Sequence, residues 1–143
     1  MLIHGKCHCS NISFTLEWKP EPSAIPARTC TCTFCVKHGG VWTSCPGGSL
    51  KVAVENPSLV TKYEFGTKTA QFLVCSRCGV VPVVTSVIDG RTYAVVSVNA
   101  FEGVDPALIR NSPADFEGES KDARLDRRKQ RWIADVEFVE SRA

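Results

Sequence analysis

Three cysteines lie within six residues of the sequence, at Cys30, Cys32 and Cys35. This C-x-C-x-x-C spacing is poorly suited to a set of disulfides but suits one metal ion, because thiolates are soft ligands and one turn can offer several of them. Structural zinc sites are closed by four protein ligands, whereas catalytic zinc sites keep one position for water or substrate. These three residues, which we call the triad, therefore predict a metal with one open position.

Four further cysteines form two close pairs that are far apart in the chain. Cys7 and Cys9 make a C-x-C pair, and Cys75 and Cys78 make a C-x-x-C pair followed by Gly79, which suits the positive φ of a knuckle turn. Together they supply the four thiolates of a closed zinc site that would join an N-terminal turn to a central hairpin. Buried free thiols are one alternative. A thioredoxin-like redox pair is another, but a strand rather than a helix is predicted after Cys78.

The eighth cysteine, Cys45, bears on whether the triad has an open position. It lies near Trp42 in a predicted strand, so we expect a small core residue. If Cys45 instead bound the same metal as the triad, it would close a second all-thiolate site and remove the position available to a substrate.

Composition limits the classes of protein to which the chain can belong. It has 143 residues, of which 43% are hydrophobic, and a net charge of +2 without a concentrated basic face, so nucleic acid is not an expected partner. Its longest apolar runs, such as Val80–Val84, are too short to span a membrane, and no signal-peptide pattern is found. We expect one domain over residues 1–143 in the cytoplasm, where cysteines stay reduced and serve as metal ligands. The sequence does not indicate an oligomeric state.

The elements that must position these thiols are predicted to be short strands separated by turns. Asp89-Gly90 is typical of a tight hairpin, and Gly39 limits any helix after the triad to one or two turns. The pattern predicts an all-β, mainly antiparallel fold with short helical turns. Apolar alternation and turn signals predict strands at Ile12–Trp18, Val41–Cys45, Leu50–Glu55, Val60–Phe65, Thr69–Val74, Val80–Ile88 and Arg91–Val98.

Two features of these predictions stay open. Pro82 inside the strand Val80–Ile88 favours an edge or a bulge at that point. Beyond Phe101, Val104–Ile109 is compatible with a short helical turn. Asp122–Arg131 is highly charged and compatible with a helix, but the alternation that follows, up to Phe138, fits a strand equally well.

Three motifs resemble the glutathione-dependent formaldehyde-activating enzyme family, which we abbreviate as GFA. Their order and spacing carry the resemblance, and they are Gly5–Cys9, Cys30–Lys37 and Val74–Gly79. The resemblance implies a small zinc-stabilised β-tent of curved antiparallel sheets. It also implies a structural zinc on Cys7, Cys9, Cys75 and Cys78, and a second, catalytic zinc on Cys30, Cys32 and Cys35.

The same resemblance implies that the protein joins formaldehyde to glutathione, which is carbon–sulfur lyase chemistry. A metal on the triad would bind a thiol and deprotonate it, and the thiolate could then attack a small aldehyde. The developing oxyanion would need a donor and a proton, for which His38 and Lys37 are nearest in sequence, although the sequence favours a solvated loop residue at His38. Arg28, Arg77 and Lys37 are candidate cations for the carboxylates of glutathione.

The sequence therefore leaves three functions open. The first is a zinc-dependent lyase that acts on an adduct of an aldehyde with glutathione or another small thiol. The second is a zinc-stabilised binding module without chemistry. The third is a thiol redox sensor in which peroxide releases the metal from the triad and a disulfide forms.

Overall fold

The computed structural model describes residues 1–140 of the chain. Within them the chain forms twelve strands, two α-helices and three short 3-10 turns. The strands are β1 (Leu2–Lys6), β2 (Ile12–Glu17), β3 (Ile25–Cys30), β4 (Val41–Thr43), β5 (Ser49–Val54), β6 (Val60–Tyr63), β7 (Gln71–Cys75), β8 (Val83–Ile88), β9 (Arg91–Ser97), β10 (Phe101–Glu102), β11 (Ile109–Ala114) and β12 (Asp135–Glu140). The helices are α1 (Thr33–His38) and α2 (Lys121–Arg131), and the 3-10 turns are Pro57–Leu59, Val98–Ala100 and Pro106–Leu108.

The strands make two sheets. The five-stranded sheet has the order β10-β1-β2-β5-β12, and the seven-stranded sheet has the order β11-β3-β4-β9-β8-β7-β6. Neighbouring strands are antiparallel except for the pairs β11–β3 and β12–β5, which are parallel. The prediction of an all-β, mainly antiparallel fold is confirmed. The two parallel pairs were not predicted, because each joins strands that are far apart in the sequence.

Alternating side chains build a first core between the sheets. Ile12, Phe14 and Leu16 are buried on one face of β2, and in the register with β5 Phe14 lies opposite Val52 and Leu16 opposite Leu50. Residues of β7, β8 and β9 in the other sheet belong to the same cluster. The period-two pattern that predicted β2 therefore reflects a strand with one buried face.

A second core lies on the other face of the seven-stranded sheet. Val83 belongs to the first core and its neighbour Val84 to the second, as successive residues of a strand must. The second core includes Trp132, Leu125 of α2 and the cysteines of the triad. The triad is therefore held between the seven-stranded sheet and the helical segments.

The hairpin between β8 and β9 turns at Asp89-Gly90, as predicted. Both residues have positive φ, +53° and +78°, which is the geometry of a tight turn between twisted strands. The predicted strand Val80–Ile88 begins only at Val83, so Pro82 precedes a central strand. The predicted edge or bulge at Pro82 is wrong, because a proline just before a strand removes no donor from the hydrogen-bond ladder.

The sequence left open whether the C-terminal segment forms a helix or a strand, and the structure contains both, α2 and β12. The Ser120 hydroxyl accepts a hydrogen bond from the Ala123 N–H (3.1 Å) and caps α2. The strand β12 follows and pairs with β5. The predicted helical turn near residues 104–109 is confirmed by the 3-10 turn Pro106–Leu108. None of the helices in residues 1–140 is long and apolar enough to cross a membrane.

Candidate functional site

Cys7, Cys9, Cys75 and Cys78 come together at strand ends from both sheets. Their sulfur atoms all lie within 4.8 Å of one another. The Sγ atoms of Cys7 and Cys9 are 3.9 Å apart, and those of Cys9 and Cys75 are 3.5 Å apart. Cys7 follows β1 of the five-stranded sheet, and Cys75 ends β7 of the seven-stranded sheet. This four-cysteine cluster can hold a metal ion that joins the two sheets.

Backbone hydrogen bonds fix the two turns of the four-cysteine cluster. Gly79 has a φ of +82°, as predicted, and its N–H donates to the carbonyl of Cys75 at 2.8 Å. The N–H of Ile12 donates to the Sγ of Cys7 at 3.3 Å. Burial raises the pKa of the Cys7 thiol to about 12, so this sulfur ionises readily only beside a cation.

The triad forms a second group of thiols at one end of the seven-stranded sheet. Cys30 ends β3, Cys32 caps the N-terminus of α1 and Cys35 lies within α1, and their sulfurs all lie within 4.8 Å of one another. The N–H of Cys35 donates to the Sγ of Cys32, and the Nε1–H of Trp42 donates to the Sγ of Cys35, both at 3.3 Å. Gly39, in the left-handed conformation, ends the helix as predicted.

Gly40 passes directly over the triad. A Cβ atom at this position would lie 3.0 Å from the Sγ and the Cβ of Cys35 and 3.0 Å from Nε1 of Trp42. The N–H of Gly40 also donates to the carbonyl of Cys35 at 2.8 Å. The absence of a side chain at Gly40 is therefore what lets the backbone hold Cys35 in place.

The electrostatics of the triad favour a thiolate at Cys30. The neighbouring Cys35 thiol lowers the pKa of Cys30 to about 5, and the positive charge of Arg127 acts in the same direction. The pKa of Cys35 is raised, first by its contact with Cys30 and then by burial. The cluster thus carries negative charge at neutral pH and suits a cation.

Cys45 does not belong to the triad. It is 5% exposed in the first core, and its Sγ donates to the carbonyl of Lys19 at 3.1 Å. The prediction that Cys45 is a core residue is confirmed. Within residues 1–140, no His, Cys, Asp or Glu joins the triad as a fourth ligand.

A cavity of about 410 Å³ opens beside the triad. Its volume falls in the range of small-molecule sites, and aromatic rings form much of its wall. The aromatic residues that line it are Trp42, Phe65, Phe72, Phe116 and Trp132. Four arginines also line it, Arg28, Arg124, Arg127 and Arg128.

The predicted donors His38 and Lys37 do not line this cavity. The ring of His38 lies 4.2 Å from that of Phe34, four residues earlier on α1, and is exposed. The structure therefore does not bring His38 or Lys37 beside the cavity, and the alternative for His38, a solvated residue, agrees with its exposure.

Of the predicted cations, only Arg28 reaches the cavity. Arg77 and Lys37 do not line it, and α2 supplies the other three arginines instead. Sequence reasoning missed them because this helix is mostly charged and carries no long apolar stripe. The spacing of Arg124 and Arg128 by four residues is the one signal that they share a helical face.

Two of these arginines are paired with a carboxylate. Arg127 makes a bidentate pair with Glu119, with Nε–Oε2 and Nη2–Oε1 distances of 3.1 Å, and its guanidinium lies 3.7 Å from the centre of the Phe116 ring. Nε of Arg124 lies 3.8 Å from Oε1 of the same Glu119. Glu119 therefore offsets only part of the charge of this pair.

Within the part of the chain that the structure describes, the other two arginines hydrogen-bond only hydroxyl groups. Nη2 of Arg28 donates to Oγ of Ser44 at 2.9 Å. Nη1 of Arg128 donates to Oγ1 of Thr69 at 2.8 Å and to Oγ of Ser86 at 3.1 Å. Among the described residues neither arginine forms an ion pair with an acid. Arg128 is only 6% exposed, and burial and then the neighbouring arginines lower its pKa to about 10. It is still a cation at neutral pH.

Comparison with known proteins now identifies the family. The model of the family described as Glutathione-dependent formaldehyde-activating enzyme matches residues 2–113. The chain belongs to this family. The GFA resemblance inferred from the three cysteine motifs is confirmed, and the match includes both cysteine clusters but ends before Phe116 and α2.

The chain is also similar to a solved structure. This is the crystal structure of a Rhodobacter sphaeroides protein that was a structural genomics target. The two chains share 30% sequence identity, and their structures superpose with a TM-score of 0.56. The similarity covers 73% of this chain and 92% of that one.

Proposed function

We propose that this GFA-family protein is a zinc-dependent carbon–sulfur lyase that acts on the adduct of a small aldehyde with glutathione or another small thiol. The observation that carries the proposal is the triad, which lines a cavity of about 410 Å³ and has no fourth ligand within residues 1–140. A closed structural site would need a fourth ligand.

The distances within the four-cysteine cluster support zinc as its metal. Tetrahedral zinc with Zn–S bonds of about 2.3 Å places sulfurs about 3.8 Å apart. The separations of 3.9 Å and 3.5 Å bracket that value. We propose that this zinc is structural, because Cys7 and Cys75 are fully buried and lie outside the cavity.

The chemistry of the triad supports a second zinc. Three soft sulfurs lie within 4.8 Å of one another, and two of them accept N–H hydrogen bonds, as thiolates do. When bound, zinc supplies affinity for a thiol and lowers that thiol's pKa. Reduced cysteines are needed for this site, which is consistent with the cytoplasm as its location.

The residues of the cavity supply the rest of the proposed reaction. The substrate thiol gives up its proton, its sulfur adds to the aldehyde carbon as the carbonyl π bond opens, and the aldehyde oxygen takes up one proton, so that one C–S and one O–H bond replace the S–H bond and the π bond. The reverse reaction breaks the same C–S bond, and neither direction needs an oxidant. Thr33, on α1 between Cys32 and Cys35, lines the cavity, and we propose its hydroxyl as the donor to that oxygen. The aromatic wall offers an apolar surface to the adduct, and Arg28 offers a positive charge to the substrate.

The redox sensor is a second candidate. The proximity of three sulfurs within 4.8 Å favours it, because a disulfide between two of them would need only a small movement. Peroxide would be the oxidant: two thiolates give one disulfide and the peroxide is reduced to water. This candidate predicts that peroxide releases one metal ion per chain while the fold survives.

Exchange NMR of glutathione with its hydroxymethyl adduct tests the lyase. We expect the zinc-loaded protein to accelerate the exchange, and Cys35→Ser to abolish the acceleration. Cys45→Ser is the matched control, since a serine hydroxyl can also donate to the carbonyl of Lys19, and it should stay active. An exchange rate equal to that of buffer alone, for glutathione and for smaller thiols, would overturn the proposal.

A further inference from the structure

Arg128 is a buried cation without an acidic partner. It is 6% exposed, and its Nε has no hydrogen-bond partner within the described residues. Its described hydrogen bonds all come from Nη1 and go to neutral hydroxyls. Buried charges in folded proteins are normally paired, because leaving the solvent without a counter-ion is unfavourable. A position of this kind beside a cavity is suited to an anionic ligand.

The carboxylates near this cavity are not placed to pair with Arg128. Glu119 is held by Arg127 through three hydrogen bonds. Asp115 and Glu117 line the cavity but are exposed, and Asp115 accepts a hydrogen bond from the N–H of Glu117 at 2.9 Å. The positive charge at Arg128 is therefore available to a molecule in the cavity.

We propose that Arg128 binds a carboxylate of the substrate, so that this protein selects adducts whose thiol carries a carboxylate. The selectivity rests on the proposed function, because that function places the reacting sulfur at the triad. A guanidinium is a planar fork that matches a carboxylate, and the aromatic walls strengthen the pair by lowering the local dielectric. The helix that carries Arg128 lies outside the residues matched by the family model, so the selectivity belongs to this chain's own C-terminal segment.

A purely structural role for Arg128 predicts different behaviour. In that role its hydrogen bonds to Thr69 and Ser86 would tie α2 to the seven-stranded sheet, and the ligand charge would not matter. Removing the guanidinium would then destabilise the fold and leave ligand preference unchanged. Ligand preference and thermal stability therefore separate the two roles.

The test is calorimetric titration of the zinc-loaded protein with three probes of equal chain length. Mercaptopropionate has a thiol and a carboxylate, mercaptopropanol has only the thiol, and propionate has only the carboxylate. We expect mercaptopropionate to bind roughly ten- to a hundredfold more tightly than mercaptopropanol, as for one charge-assisted contact. Arg128→Met should abolish that preference. Lys129→Met, which removes an equal charge from an exposed neighbour on α2, should keep it.

The following outcomes test the carboxylate site at Arg128. Equal binding of mercaptopropionate and mercaptopropanol by the wild type, or an intact preference in Arg128→Met, overturns the carboxylate site. If Arg128→Met does not fold, Arg128→Gln takes its place; it removes the charge but keeps N–H donors for the hydroxyls of Thr69 and Ser86, and an unreduced preference in that variant also overturns the proposal. If the preference is present and depends on Arg128 but mercaptopropionate binds no better than propionate, the carboxylate site stands and the thiol chemistry of the proposed function fails.

Discussion

Replacement of Gly40 by alanine tests how the backbone positions the triad. The added Cβ would meet Cys35 Sγ and Cβ and Trp42 Nε1 at 3.0 Å, whereas ordinary contacts are 3.4–4 Å. One of these groups must therefore move by about half an ångström, and overpacking of a core of this kind costs about 1–3 kcal/mol. A shift of that size in Cys35 or its hydrogen-bond donor should weaken metal binding at the triad about ten- to a hundredfold.

The assay is stepwise zinc release to a chromophoric chelator, combined with urea unfolding. We expect Gly40→Ala to weaken one of two zinc sites and to lower the free energy of unfolding. Gly39→Ala is the matched control. Its Cβ would meet nothing within 4 Å, but the residue has a φ of +74°, so only a strain of about 1–2 kcal/mol is expected. Equal loss of triad zinc in the two variants, or no loss in Gly40→Ala, would refute the reasoning.

Two further predictions concern the same metal sites. Trp42→Phe removes the N–H that donates to Cys35 Sγ, so we expect about ten- to a hundredfold weaker zinc binding at the triad in the chelator assay. Trp132→Phe is the control, because Trp132 lines the cavity but makes no described hydrogen bond to a cysteine sulfur. It should leave the zinc affinity unchanged. Acidification should release zinc from both clusters, because protons compete with zinc for the thiolate ligands. A pH series of zinc content in the presence of the chelator measures this, and a zinc affinity that does not fall as the pH falls would contradict thiolate ligation.

Local sequence signals predicted the parts of the fold that depend on neighbouring residues. The apolar alternation of β2 reflects its buried face, and Asp89-Gly90 adopts the positive φ values that its turn requires. The spacing of the cysteines predicted both clusters, because each turn holds its own sulfurs close together and the two distant pairs complete one four-ligand site only when they combine.

Contacts between distant parts of the chain were beyond the reach of these signals. The parallel pair β11–β3 joins Ile109–Ala114 to Ile25–Cys30, and neither segment has a sequence pattern from which its partner strand could be identified. The arginines of α2 reach the cavity for the same reason, through tertiary packing alone. His38 is close to the triad in sequence, but its ring packs at a tilt against Phe34 and does not line the cavity.

The central claim is that the triad is a metal site with a position left for a thiol, and zinc content per chain tests it most directly. Protein purified anaerobically without chelator is compared with its Cys35→Ser and Cys45→Ser variants. The account predicts two zinc ions in the wild type and in Cys45→Ser, and one in Cys35→Ser. One zinc ion in all three proteins would mean that only the four-cysteine cluster binds metal, and would contradict the account.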